Sequence, residues 1–148
     1  MLHIIQYMNF KDTIGRYMGM AHILFQKNLE EALKARQVPI TAEQFKMMSR
    51  LWQQEGISQR ELAKGVGRNR AAAGRMIDTL EKKGLLQRHD HPNDRRLKLI
   101  FLTKLGKQIQ KKAEESAKEV LEKSTQSLSE EEKSTLKKLL KEVIENLS

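Results

Sequence analysis

The chain lacks the residues on which several classes of protein depend. Its 148 residues contain no cysteine, which excludes disulfides, thiolate metal sites and thiol-based redox sensing. No apolar run is long enough to cross a bilayer. The start, MLHIIQYMNFKDTIGRY, has neither a basic region nor a small-residue cleavage site. We therefore expect a soluble, cytoplasmic protein that has no signal peptide and does not bind membranes.

Catalytic and cofactor motifs are also missing. No nucleophile stands beside a plausible base in a recognisable pattern, and no glycine loop of the phosphate-binding type occurs. His89 and His91 alternate on a predicted strand and so share a face, but two histidines without a third ligand make a weak metal site. We expect no enzymatic activity, no cofactor and no bound metal.

What the chain does contain is an uneven excess of positive charge. The formal net charge is +9. Residues 60–107 alone hold 13 Lys and Arg against 5 Asp and Glu, a surplus of +8. A basic surface focused in this way is typical of a polyanion binder. The alternative is a solvated cationic face without a partner.

Helices are predicted both before this basic segment and at its start. Residues 10–36 place apolar side chains at helical spacing on one face. Pro39 then disfavours helical backbone in the residue before it. Thr41 and Gln44 form a capping-box pattern that starts a second helix, and the same pattern recurs in ISQREL. Two such starts close together predict short helices packed in a turn.

A further helix is predicted for RAAAGRMIDTLEKK. Asn69 can cap its start, and Gly84 can end it in the left-handed conformation that glycine tolerates best. Its predicted core positions are Ala73, Met76 or Ile77, and Leu80. Its opposite side comprises Arg70, Ala71, Gly74, Arg75 and Asp78. Small residues beside arginines leave a surface that can approach another body closely.

A hairpin and two further helices complete the pattern. LLQRHD and LKLIFLT are rich in Leu, Ile and Phe and predict two strands, with the tip of the hairpin at His91 to Arg96. Thr103 is expected to cap one long helix, and Ser129 with Glu132 the last one. This order is that of a winged helix-turn-helix, whose recognition helix enters the major groove while a cationic hairpin can reach the minor groove.

Several motifs also carry a family resemblance. The most specific are the Asp-Arg-Arg sequence of the hairpin and the Leu-Thr-x-x-Gly start of the next helix. The matching residues are Leu62, Ala63, Asp78, Leu80 to Leu85, Arg88, Asp94 to Arg96, Leu102, Thr103 and Gly106. Together with TAEQFKMMSRLW, they resemble the MarR family of bacterial transcriptional regulators over about residues 10–147.

The resemblance implies a mainly α protein with a small β-hairpin, forming one domain over residues 1–148. A winged helix-turn-helix DNA-binding lobe at residues 40–103 would lie between dimerisation helices at residues 10–36 and 104–148. The resemblance further implies a homodimer that binds double-stranded DNA at a pseudopalindromic operator. Such a regulator commonly acts as a repressor that a small, often aromatic, effector releases from DNA.

Two sets of site residues follow from the resemblance. The DNA-binding set comprises Arg68, Asn69, Arg70, Ala71, Gly74, Arg75, Asp94, Arg95 and Arg96. Within it, Arg96 would reach into the minor groove, held by Asp94. The ligand-pocket set comprises Tyr17, Met18, His22, Phe25 and Trp52. For each member of the second set, core or dimer packing is the simpler interpretation.

The recognition helix departs from the family pattern at Ala71, Ala72 and Gly74. The family often has Ser and Thr there, whose hydroxyls can bond to phosphates or bases, so the contacts must differ here. Ala71 can touch a thymine methyl group, and Arg70 or Arg75 can pair with guanine. Two alternatives stay open: an architectural nucleic-acid binder without ligand control, and a winged-helix module for protein contacts.

Overall fold

The structure, a computed structural model, describes residues 9–65 and 69–148. It confirms a mainly helical protein with a small antiparallel sheet. The elements are a short 3-10 helix (Phe10–Asp12), α1 (Ile14–Ala35), α2 (Ala42–Gln53), β1 (Ile57–Ser58), α3 (Gln59–Gly65), α4 (Arg70–Lys82), β2 (Leu86–His91), β3 (Asp94–Leu102), α5 (Lys104–Gln108), α6 (Gln110–Ser124) and α7 (Glu130–Leu147). No helix in these ranges is both long and apolar enough to cross a membrane.

The sheet contains one strand more than the predicted hairpin. Its order is β1–β3–β2, and both pairings are antiparallel. β2 and β3 form the hairpin, with Leu86 opposite Leu102. The additional strand, β1, pairs Ile57 with Ile100. A strand of two residues is too short to show the alternation by which strands are recognised, so only its pairing with β3 reveals it.

Side-chain caps begin the helices where the sequence predicts them. In each case a side-chain oxygen accepts a backbone N–H of the first turn, which would otherwise lack a partner. The caps are Thr41 (α2), Ser58 (α3), Asn69 (α4), Thr103 (α5) and Ser129 (α7). The predicted end of α4 is also confirmed, because Gly84 follows it with a φ of 74°, a region that side chains other than glycine avoid.

The N-terminal helix is shorter than predicted. Instead of spanning residues 10–36 without interruption, α1 begins after Thr13, whose side chain caps it, and stops at Ala35. Gln37 then adopts a φ of 58°. This left-handed backbone closes the helix in the manner of a C-terminal cap, shortly before Pro39.

The long helix predicted from Thr103 is divided at Ile109 into α5 and α6. At this point the Gly106 carbonyl accepts the indole N–H of Trp52 at 2.9 Å. The regular helix is interrupted between this carbonyl and the N–H of Gln110, its partner in an unbroken helix. A side chain that interrupts the helical hydrogen-bond ladder bends the helix. The donor lies 54 residues away in the chain, so the local pattern could not show the bend.

One hydrophobic core joins the flanking helices to the sheet and α4. Its largest fully buried side chains are Leu33, Met47, Met48, Leu51, Leu62, Ile77, Leu80, Leu85, Leu86 and Ile100. Ala113 and Val120 of α6 are buried in the same core. On α4, Ala73, Ile77 and Leu80 are buried as predicted, whereas Met76 is only partly covered. Helix α4 thus packs against the core with its apolar face.

The closest approach between α5 and the end of α4 occurs at Gly106. A Cβ at this buried position would lie 2.0 Å from the carbonyl oxygen of Leu85. The same oxygen accepts the backbone N–H of Thr103 at 3.1 Å, and the Thr103 hydroxyl donates to the Gly84 carbonyl at 2.5 Å. Because the obstructing atom belongs to the backbone, it cannot rotate away. Only glycine fits without a shift of the main chain.

We expect Gly106→Ala to lower the free energy of unfolding by about 1–3 kcal/mol, the usual effect of forcing an extra methyl group into a packed site. Urea titration followed by circular dichroism measures the change. The matched control is Lys104→Ala, which alters an exposed position of the same helix and should stay within about 0.5 kcal/mol of the parent chain. Equal stability of the two variants would contradict the proposed close approach.

Candidate nucleic-acid interface

Helix α4 presents a cationic face to solvent. Asn69 caps the helix by accepting a first-turn backbone N–H at 2.8 Å. Arg70, Ala71 and Arg75 are exposed, and Gly74 is half-buried. Because Ala71 and Gly74 have short or no side chains, the helix can lie close to another molecule between two arginines.

The hairpin carries a bulge where the sequence places its arginines. Asp90 of β2 pairs with Lys98 of β3, but the next β2 residue, His91, pairs with Asp94. Residues 95–97 of β3 therefore have no partner on β2, because they lie between two strand pairings that are consecutive on β2. A bulge of this kind bends its strand and redirects the side chains that it carries. Arg95 and Arg96 are both exposed as a result.

The tip of the hairpin is narrower than predicted. The sequence indicates a tip from His91 to Arg96, whereas the turn consists of Pro92 and Asn93. The His91 ring closes this turn, since its Nδ1 accepts the backbone N–H of Asn93 at 3.1 Å. Arg96 belongs to β3 and is presented by the bulge. The prediction of the tip was wrong because the pairing of the strands across the turn decides where the turn ends.

Asp94 holds the main chain of Arg96. Its Oδ1 accepts the backbone N–H of Arg96 at 3.0 Å, a turn contact that short acidic side chains commonly make. The carboxylate is therefore satisfied without neutralising the guanidinium group. Among the described residues, the side chains of Arg70, Arg75, Arg95 and Arg96 form no ion pair or hydrogen bond. Their charges are available to a ligand.

A cationic hollow of about 360 Å³ lies between α3, α4 and the hairpin. Among the described residues, its charged lining residues are Arg60, Arg70, Arg96 and Lys98, and no carboxylate is part of the lining. Lys98 pairs with Asp90, whereas the three arginines have no partner among the described residues. Ser58, Gln59, Ala63 and Leu97 complete the lining. The hollow joins the helix and the hairpin into one electropositive surface.

Arg88 connects the hairpin to α3 and α4. Its guanidinium group donates to Asp78 at 2.6 Å, to Glu81 at 2.9 Å and to Gln59 at 3.1 Å. Only 20% of its side chain is exposed. Asp78 and Glu81 would otherwise place uncompensated negative charge on α4 beside the arginines. Arg88 therefore supports the cationic surface without belonging to it.

Several residues that line or support this cationic surface are absent from the predicted set. The sequence pattern includes Arg88 but assigns it no contact, and it does not single out Gln59, Arg60 or Lys98. The ion pairs of Arg88 have a signal in the sequence, because Arg88 follows Asp78 and Glu81 of the preceding helix across a tight turn. The contact with Gln59, 29 residues away, has no local signal. Arg68, which was predicted to bind DNA, lies outside the described residues.

Three of the predicted ligand-pocket residues lie on the surface of α1. Tyr17 is 56% exposed, and its hydroxyl donates to the Asp12 carboxylate at 2.7 Å. This hydrogen bond raises the pKa of the Tyr17 phenol above its usual value. Met18 and His22 are also exposed. In the single chain, these side chains face solvent.

The other two predicted pocket residues pack against the core. Phe25 and Trp52 are half-buried there. The Trp52 ring meets Phe45 edge to face, with 5.8 Å between the ring centroids, and its indole N–H is bonded to Gly106. In the described protomer, Trp52 thus has a packing and hydrogen-bonding role.

No group of three or more His, Asp or Glu side chains within the described ranges is arranged as a metal site. The two histidines of the hairpin have other contacts. The His89 ring lies 4.9 Å from that of Phe101, and His91 accepts a backbone N–H in the turn. Both histidines therefore contribute to the local packing of the hairpin.

Comparison with known sequences identifies similar proteins. The model of the MarR family matches residues 40–98. The HTH-type transcriptional regulator BilQ of Clostridium symbiosum is 36% identical over 88 residues, which are 60% of this chain and 61% of that protein. The multiple antibiotic resistance protein MarR of Escherichia coli is 33% identical over 132 residues, which are 88% of this chain and 90% of that protein.

Solved structures show the same architecture. A point mutant of E. coli MarR, crystallised in complex with operator DNA, has a TM-score of 0.81 with this chain and 32% sequence identity. The match covers 87% of this chain and 91% of that one. The similarity therefore extends beyond the helix-turn-helix segment to the flanking helices.

We expect Arg88→Met to lower the free energy of unfolding by about 1–2 kcal/mol, because it removes three hydrogen bonds while the freed carboxylates stay partly in water. Methionine keeps most of the side-chain volume. The control is Arg95→Met, which removes an exposed arginine that has no side-chain partner in the described part of the chain. Urea unfolding should separate the two variants, and an equal effect would argue against the role of Arg88.

Proposed function

Since the chain belongs to the MarR family, we propose that it is a dimeric, sequence-specific DNA-binding regulator of transcription that acts as a repressor. We place the DNA-binding lobe at residues 40–103 and the dimerisation helices at residues 10–36 and 104–148. The observation that carries the proposal is the cationic hollow. Arg70 of α4 and Arg96 of the hairpin both line it, and no carboxylate from the described part of the chain does.

Helix α4 is the element that enters the major groove, which is wide enough for one helix. Ala71 and Gly74 allow the helix to lie close to the bases, and the Ala71 methyl group can contact a thymine methyl group. Arg70 and Arg75 can each donate two hydrogen bonds to guanine. Because no described residue pairs with either guanidinium group, DNA binding breaks no ion pair there.

The hairpin is the wing that reaches the neighbouring minor groove. Asp94 fixes the backbone of Arg96, and the bulge directs this side chain away from the strand pairing. An arginine is favoured in a narrow minor groove, where the negative potential is strongest. Arg95 and Arg60 supply further charge for backbone phosphates. Such phosphate contacts set the position on DNA, whereas base contacts set the sequence preference.

Dimerisation accounts for apolar side chains that one protomer leaves uncovered. Helix α7 has no buried residue, although it carries an apolar stripe. The exposed members of that stripe are Leu136, Leu139, Leu140, Ile144 and Leu147. On α1 the exposed apolar residues include Ile14, Met20, Ile23 and Leu24. Exposed apolar surface bordered by charge marks an interaction site, and in a two-fold dimer the same surface of each copy meets its equivalent.

A small aromatic effector is the proposed signal for release from DNA. Tyr17, Met18 and His22 offer aromatic, polarisable and hydrogen-bonding groups on the part of α1 that the dimer would cover. Phe25 continues this surface into the core. Mixed linings of this kind are typical of ligand sites. An effector that binds best to a dimer whose two lobes are wrongly spaced for the operator half-sites would shift the population away from the DNA-bound form.

A second candidate function is architectural DNA binding without sequence preference. It is favoured by Ala71, Ala72 and Gly74, which offer no side-chain hydrogen bond to a base or phosphate. In that case charge and groove shape alone would determine affinity, and binding would depend on salt but little on sequence. The two functions therefore differ in the ratio of affinity for a specific site to affinity for other DNA, which is large for a sequence-specific regulator and near one for an architectural protein.

Selection from a random pool of double-stranded DNA at near-physiological salt tests the proposal. A sequence-specific dimer should enrich an inverted repeat whose half-site centres lie about one helical turn apart. Recovery of bound fragments without any enriched sequence would establish the architectural function instead. Absence of binding under these conditions would reject both, and the winged helix would then serve protein contacts.

For the selected operator, Arg96→Ala should weaken binding by about 1–3 kcal/mol, as expected for an arginine that reads a groove. The dimer should stay intact in sedimentation, since the Arg96 side chain forms no ion pair or hydrogen bond with the described residues. Lys111→Ala is the matched control, because it removes a positive charge from an exposed position on α6. Equal affinities of the two variants in a titration at moderate salt would refute the role of the wing.

We further expect Leu139→Glu to raise the dimer dissociation constant by at least about 100-fold, because an unpaired carboxylate would be buried in an apolar interface. Sedimentation equilibrium over a range of protein concentrations measures this constant. Lys138→Glu changes a neighbouring exposed residue of the same helix and should have a much smaller effect. A Leu139→Glu chain that stays fully dimeric would remove α7 from the interface.

A further inference from the structure

The indole of Trp52 takes the place of a helical hydrogen bond at the junction of α5 and α6. In an uninterrupted helix, the Gly106 carbonyl would accept the backbone N–H of Gln110. Here it accepts the Nε1–H of Trp52 at 2.9 Å. The helix is interrupted at Ile109, whose ψ of −12° lies far from the helical value of about −42°. The interruption of the helix therefore lies at the same place as the indole hydrogen bond.

The two partners of this hydrogen bond belong to different parts of the molecule. Trp52 lies in α2, next to the fully buried Leu51 and edge-on to Phe45, so the core of the DNA-binding lobe holds the indole. Helix α6, beyond the bend, packs on α1. There the buried Ser116 Oγ lies 3.3 Å from the Ala32 carbonyl oxygen of α1.

Further contacts attach α5 to the lobe. The Glu55 carboxylate, two residues beyond α2, pairs with the Lys107 ammonium group of α5 at 3.5 Å. Gly106 lies directly against the Leu85 carbonyl. Because α5 is held at these points and by Trp52, it must move with the lobe. The angle at Ile109, together with the core that joins α2 to α1 and α6, then sets how the lobe is oriented relative to α6.

We infer that Trp52 is a positioning residue that sets the angle between the DNA-binding lobe and α6, and thereby the spacing of DNA half-sites that the dimer prefers. The inference rests on the proposed function, since it requires a dimer on an inverted repeat. Without the indole N–H, the Gly106 carbonyl accepts the N–H of Gln110 and the helix straightens. The two lobes then change their separation, while the bases read by each α4 stay the same.

The test removes the N–H alone. Trp52 is the single tryptophan of the chain, and 3-benzothienylalanine at this position replaces the N–H by sulfur in a ring of nearly the same shape. Binding is measured to duplexes that carry two selected half-sites with spacers of different length. The preference for the best spacer over its neighbours should fall about fivefold, which corresponds to a hydrogen bond's net contribution of about 1 kcal/mol. Affinity for an isolated half-site should not change.

The matched control is Phe45→Leu, which removes the ring contact of Trp52 but keeps its N–H. If Trp52 only fills space, both changes lower stability and reduce affinity for every spacer alike. That result, or an unchanged spacer profile in the benzothienyl chain, overturns the inference. A parent chain that enriches no inverted repeat counts against the proposed function instead.

A measurement without DNA tests the junction independently, even if a substituted chain fails to fold. The single indole N–H of the parent chain should give one nuclear magnetic resonance signal that is protected from hydrogen exchange. In the benzothienyl chain, the Gln110 amide should gain protection, because it acquires the Gly106 carbonyl. An indole N–H that exchanges as fast as one free in water overturns the inference whatever the DNA experiments show.

Discussion

The cationic surface of this protein depends on the guanidinium group of Arg88, which is bonded to Asp78, Glu81 and Gln59. Helix α4 carries acidic residues within one or two turns of the arginines that would face DNA. A planar group with five N–H donors can satisfy acceptors on two elements at once, whereas a lysine ammonium is a compact point charge with a different geometry. Arg88 thereby fixes the wing against the recognition helix and cancels charge that would repel phosphates.

A rigid lobe is useful to a DNA-binding protein only if its orientation is also controlled. The close approach at Gly106 and the Trp52 hydrogen bond make α5 part of the lobe, and the bend at Ile109 connects it to α6. In a two-fold dimer, a change of this angle acts on both lobes. An effector bound near α1 would need only to alter the packing of α1 on α6 to influence DNA binding at a distance, which is the coupling that an allosteric repressor requires.

The elements that could be predicted from the sequence are those with local causes. Thr41, Asn69, Thr103 and Ser129 cap helices by bonding to N–H groups a few residues away, and Gly84 supplies a backbone conformation that its own lack of a side chain permits. The sequence predicts the wing less accurately than it predicts the helix caps. Its arginines were identified, but the bulge depends on how His91 and Asp94 pair across the turn, which neighbouring residue types do not specify.

By itself, the sequence determined most of the helix starts and the two strands of the hairpin, the concentration of positive charge in residues 60–107, and the motifs that indicate the family. Each is a property of neighbouring residues or of composition. Only the tertiary structure decided which charges are available: Lys98 and Arg88 are paired, whereas Arg70 and Arg96 line the cationic hollow without a partner among the described residues. It also decided the bend at Ile109. The physical reason is that ion pairs and side-chain hydrogen bonds act over a few ångströms, and folding alone brings distant residues to that range.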